Sequence, residues 1–198
     1  MKALVLDITR RLQAAGFFTP AVMQTVQPSN DSYDQGQTVY VSGNSQFEEV
    51  EMSYGSTSLK FANMILTRDG SIGNVFAPPP MITFGKAKNI EITVIDGTDA
   101  EVVERFGDGQ WDLEIEGILV DMENHQFPLD KIKKLRKFFE IEDAVEVSSS
   151  LMNEGLEFAS IWFKNITISG VAGYQDTIRF KLSARSIRPV EFYLNGEA

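Results

Sequence analysis

The sequence predicts a mainly β fold, a β-sandwich or partly closed barrel, with one packed helix over 128–139 and an N-terminal helix followed by an extended arm. Three observations predict it. From Phe47 onward apolar and polar residues alternate in short runs, the period of a half-buried strand. Gly, Asn and Asp punctuate those runs at turn positions. One internal stretch, after Pro128, spaces its apolar residues at the helical period. The natural division is 1–46, the N-terminal helix and arm, and 47–198, the β-rich domain.

The elements follow in chain order. Leu4, Val5, Ile8 and Leu12 form one stripe of a short amphipathic helix over 3–15, which Gly16 stops. From Thr19 to Gln46 the composition turns to Pro, Gln, Ser, Asn, Asp and Gly, an arm that is either ordered by a neighbour or a loop. Strands are expected at Leu59–Leu66, at Asn89–Ile95 before the Asp96-Gly97 turn, and at Trp111–Val120. Trp111, Leu113 and Ile115 share one face of the last of these, with acids on the other. Pro128 suits a first helical position, and Leu129, Ile132, Leu135 and either Phe138 or Phe139 follow as a stripe expected to pack on Leu113 and Ile115. Further strands are expected at Ala144–Val147, Phe158–Phe163 and Thr177–Leu182, with Val190–Leu194 as a last one.

Composition narrows the function. At 198 residues the chain can bury about 70% of its unfolded surface, so a core needs no disulfide or metal. With no cysteine there is no thiolate nucleophile and no cysteine-ligated metal, which fits a reducing cytoplasm. Asp7 follows only four apolar residues, so export through a cleaved leader is not expected. No apolar run approaches the length of a membrane-spanning helix, so no membrane partner is expected. A net charge of −10 argues against tight nucleic-acid binding, which depends on neutralising phosphates.

Catalytic and metal-binding patterns are missing. His125 is the single histidine, which excludes sites needing two imidazoles and suits a turn before the helix. Gly107-Asp108-Gly109 departs from the phosphate-binding glycine pattern and reads as a tight hairpin turn. Asp96, Asp99, Asp108 and Asp112 miss the calcium-loop spacing and read as solvated turn acids. No enzyme activity and no cofactor are expected.

Two features point instead to contacts. Ala77-Pro78-Pro79-Pro80-Met81, flanked by Phe76 and Phe84, is stiff and lacks three backbone donors. It serves either to cross to a neighbouring subunit or to link two β layers within the domain. Lys131, Lys133, Lys134, Arg136 and Lys137 gather on the helix in an otherwise acidic chain, which favours a solvated face or one complementing an acidic neighbouring subunit over a nucleic-acid or lipid site. The candidate assembly contacts are Phe76, Pro78, Pro79, Pro80, Met81, Lys133, Lys134 and Lys137.

Residues from about 90 to 190 resemble a family of little-characterised tail proteins of tailed bacteriophages, found among tail and baseplate genes of prophages. The resemblance runs through Glu101-Val102-Val103-Glu104, Gly107-Asp108, Trp111 to Leu119, Phe127-Pro128, Ile132 and Leu135 of the helix, and Val145 to Leu156. Val171 to Asp176 departs from the family's usual Gly-x-Asn-like turn. The resemblance implies a structural subunit of the tail tube end, hub or baseplate, in a virion assembled in the bacterial host cytoplasm. Such proteins commonly form homo-oligomeric rings around the DNA channel, with neighbouring tail proteins as partners. Acids facing that channel would keep DNA mobile by repulsion. The alternative is a carbohydrate- or protein-binding β module on a virion or cell surface, with Trp111, Trp162 or Tyr174 as a platform, although both tryptophans sit in patterns that favour the core.

Overall fold

The computed structural model describes residue 8 and residues 10–17, 37–40, 49–62, 64–66, 74–97, 99–121 and 126–187. Residues 10–14 are helical (α1). Nine strands follow among the described residues: β1 Gln37–Tyr40, β2 Val50–Tyr54, β3 Thr57–Phe61, β4 Met64–Leu66, β5 Met81–Val94, β6 Glu101–Val120, β7 Val145–Ser148, β8 Ser160–Val171 and β9 Tyr174–Ile187. Helix α2, Leu129–Phe139, stands between β6 and β7, and a π-helical turn, Leu151–Gly155, precedes β8. The fold is mainly β, as the alternation predicts. Seven strands make one antiparallel sheet in the order β3-β2-β7-β8-β9-β6-β5, not closed into a barrel, and β1 pairs with β4 as a separate two-stranded sheet.

Residues 37–40 therefore correct the expectation of a continuous arm, because they form a strand in register with Met64–Leu66. The single strand expected over 59–66 is likewise divided, its second half turning away to make β4. The remaining arm, the turn that Asp69-Gly70 signals, His125 and Val190–Leu194 lie outside the described residues.

Alternation places Leu113, Ile115 and Leu119 of β6 on one face, in register with Ala184, Leu182 and Ile178 of β9. With Val50, Met52, Leu59, Phe61, Val145, Val147, Ile161 and Phe163 they form the main core. Helix α2 closes it, carrying the chain from β6 to β7 with Leu135 and Phe138 buried and the Phe138 and Phe163 rings 6.5 Å apart. Asp130 in its first turn and Arg136 and Lys137 in its last complement the helix dipole.

The stripe expected on α2 needs correction. Ile132 is partly buried and Leu135 fully so, but Leu129 is 50% exposed and Phe138 takes the inward position. The reason is angular: at 100° per residue, Leu129 stands about 120° around the helix from Leu135.

The opposite face of the sheet is polar through its middle. Lys181 bonds both Glu114 and Glu116, Arg179 bonds Glu116, and Lys164 bonds Asp112 at 2.9 Å. Towards the end of β6 this face becomes apolar, and Ile118 and Val120 pack with Val171 against Ile8, Leu12, Ala15 and Phe17. A buried pair, Arg11 with Asp176, anchors α1 there, and Arg11 also donates to Thr177. Arg179 adds a bond to the Ala15 carbonyl at 2.9 Å and sits over the Phe17 ring.

Candidate assembly surface

β5 and β6 form a long hairpin. Among the described residues β9 pairs with β6 from Asp112 to Val120, so before Asp112 β5 is the one described strand beside β6. Residues 88–97 and 99–107 therefore stand out as a two-stranded ribbon, exposed on both faces except for the partly covered Gly107. The turn is where Asp96-Gly97 predicts it, closed by the Ile95 N–H donating to the Ala100 carbonyl at 3.0 Å. Gly107-Asp108-Gly109 is not a turn. It lies inside β6, where the register with β5 shifts, and Gly107 has φ +115°, a bulge conformation that disfavours a side chain. Asp108 is turned to Arg105 at 2.7 Å, and that hydrogen bond holds its carboxyl below the usual range.

Register sorts the ribbon into two faces. Ile90, Ile92 and Val94 stand opposite Arg105, Val103 and Glu101, while Glu91 and Thr93 stand opposite Glu104 and Val102. The first face is an apolar cluster in open solvent, with Val94 64% and Val103 59% exposed. The second sets two acids directly across from each other, an unfavourable arrangement unless something neutralises it. Over the described ribbon, Glu91, Asp96, Asp99, Glu101 and Glu104 face only Lys88 and Arg105 as cations. A two-stranded ribbon is marginally stable in water by itself, and exposed apolar clusters of this kind mark interaction sites.

The other predicted contact residues divide between interior and surface. Phe76 and Pro78 to Pro80 are buried in this chain, and Met81 is half-buried. The Phe76 ring stands edge-on to Phe61 at 5.5 Å, and Lys131 donates to the Phe76 carbonyl at 2.7 Å. Just before the prolines, the Phe76 N–H donates to Lys60 and the Ala62 N–H to Ala77, so the segment runs beside edge strand β3 before turning into β5. Its stiffness serves an internal corner.

Lys133, Lys134 and Lys137 are exposed on α2. Lys133 lies 3.5 Å from Asp130, whereas neither Lys134 nor Lys137 has an acidic partner among the described residues. Phe127 and Leu129 are exposed at the start of the same helix. Lys131 faces inward, so the basic face is narrower than the five cations suggest.

The aromatic platform does not come together. Trp162 and Asp112 both pair with Arg185, which puts Trp162 on the polar face, while Trp111 lies one residue away on the core side under Lys86. Trp162 corrects the expectation of burial, since it is 43% exposed between the inward Ile161 and Phe163. Tyr174 is half-buried beneath the Arg11 guanidinium. Among the described residues, no group of three or more His, Cys, Asp or Glu could hold a metal ion, and no helix is long and apolar enough to cross a membrane.

The class defined by this geometry is a mainly β protein built on one seven-stranded antiparallel sheet, with a long β5–β6 hairpin whose outer part has no third strand among the described residues. Residues 75–197 match the family described as a domain of unknown function, DUF6046, and the chain belongs to that family. No curated protein matches the sequence. Among solved structures the chain is similar to one in the tail of an empty GTA particle, computed with helical refinement in C6 symmetry. Identity there is 13%, with 75% of this chain and 97% of that chain covered and a TM-score of 0.40.

Proposed function

We propose that this protein is a structural subunit of a phage tail, at the tube end, hub or baseplate, which assembles with copies of itself into a ring around the DNA channel. The observation that carries the assembly reading is the β5–β6 ribbon, whose exposed Ile90, Ile92, Val94 and Val103 need a covering partner. The tail setting rests on the resemblance of residues 90–190 to phage tail proteins. Work of this kind is done by contact area, so the protein acts without a catalytic centre. It functions in the virion, beside neighbouring tail proteins. The excess acids place negative charge on the channel wall and keep DNA sliding. Light scattering on the purified protein tests the reading: a ring-sized particle supports it, and a monomer at every concentration contradicts it.

The exposed Trp162, beside Arg185 and in line with Asp112, favours a second reading as a carbohydrate-binding module. Glycan-array binding that vanishes with Trp162→Ala, by a protein that stays monomeric, would select it over the ring.

A further inference from the structure

We infer that the hairpin ribbon of one copy docks on the exposed face of helix α2 of a second copy, with its acidic tip on Lys133, Lys134 and Lys137. The inference rests on the ring reading and names its interface. Charge complementarity is the first support. Asp96, Asp99 and Glu101 at the tip are exposed and have no cationic partner among the described residues, and Lys134 and Lys137 lack an acidic one. The pattern along each element is the second. On α2, exposed Leu129 is followed one and two turns later by Lys133 and Lys137, a span of about 12 Å at 1.5 Å per residue. On the ribbon, exposed Ile92 and Val94 lead along β5 to Asp96 in the turn. Both elements thus run from apolar to charged, with opposite sign.

Reach is the third support: one face of the ribbon is long enough to lie along the exposed side of the eleven-residue helix. The ribbon and the helix are different patches of one molecule, so the contact is heterologous. Contacts of that type generate rings when the rotation closes.

Charge reversal tests it. Asp96→Lys with Asp99→Lys and Glu101→Lys makes one variant, and Lys133→Glu with Lys134→Glu and Lys137→Glu makes another. Each is expected to stay folded by circular dichroism and to self-associate at least about 10-fold more weakly, roughly 1.4 kcal/mol. A chain carrying all six changes is expected to regain assembly, because its hairpin and socket are complementary again. Should a triple variant unfold, Asp99→Lys and Lys137→Glu are read singly and together in the same way. A reversal that assembles like the parent, or a folded six-change chain that stays dissociated, overturns this interface while leaving a self-assembling parent and its ring intact. A parent that never self-associates overturns the ring reading as well.

Discussion

The ring of Phe180 lies against Gly117, its cross-strand partner on β6, so closely that a methyl group added at Gly117 would meet the ring at 2.8 Å. Phe180 has little room to retreat, being fully buried with the Phe61 ring 5.8 Å away. The glycine therefore provides room for a large aromatic at the centre of the sheet. Gly117→Ala should destabilise the fold by about 1–3 kcal/mol through overpacking. Urea unfolding should show the midpoint fall with little change in slope.

Helix α2 gives a paired test of burial. Leu135→Ala should cost about 2–5 kcal/mol, because the side chain is enclosed by the main core. Leu129→Ala, at half exposure, should stay within about 0.5 kcal/mol of the parent. Equal losses at the two positions, measured by thermal or urea unfolding, would contradict the observed orientation of the helix.

Arg11 and Asp176 tie the first helix to the sheet from a buried position, with side chains only 6% and 9% exposed. Removing Arg11 takes the guanidinium from a carboxylate that stays buried, so Arg11→Met should cost about 3–5 kcal/mol. Arg11→Met with Asp176→Leu should recover much of that loss. A double-mutant cycle in unfolding free energy checks it.

Glu116 should shape the acid limb of stability. Burial alone would raise its carboxyl, but hydrogen bonds from Arg179 and Lys181 outweigh burial and hold it below the ordinary value. A group depressed in the native state gives its full stabilisation above its unfolded value of about 4.3. That contribution is lost as pH falls through the native value. Glu116→Gln should therefore be less stable than the parent at neutral pH and converge with it as pH falls through the native value of Glu116. Lys181 works in the opposite direction. Its hydrogen bonds to Glu114 and then Glu116 raise it, so its share is present below about 10.4 and lost as pH rises through the native value.

The sheet was legible where one face is buried. Leu113 and Ile115 alternate with acids because one side meets the core and the other carries ion pairs, and period two reports that directly. The Asp96-Gly97 turn and the helix after Pro128 were equally legible, since both depend on local chemistry. The ribbon was not. Ile90, Ile92 and Val94 alternate with polar residues as a half-buried strand does, and nothing in that spacing tells a core from a partner's surface. Apolar residues on both faces of the returning strand, Val102 beside Val103, were the available signal. The glycines at 107 and 109 misled for a related reason, since a bulge and a turn use the same residue. The proline segment needed the tertiary fold, because only the position of β3 decides whether a stiff connector stays inside.

Sedimentation of the parent beside a ribbon variant with Ile90, Ile92, Val94 and Val103 all changed to Ser tests the central claim most directly. These side chains are exposed in the single chain, so the variant should keep the parent's fold by circular dichroism. The parent should sediment as a closed multi-copy particle, and the variant as a folded monomer. Identical particles from both chains would contradict assembly through the ribbon.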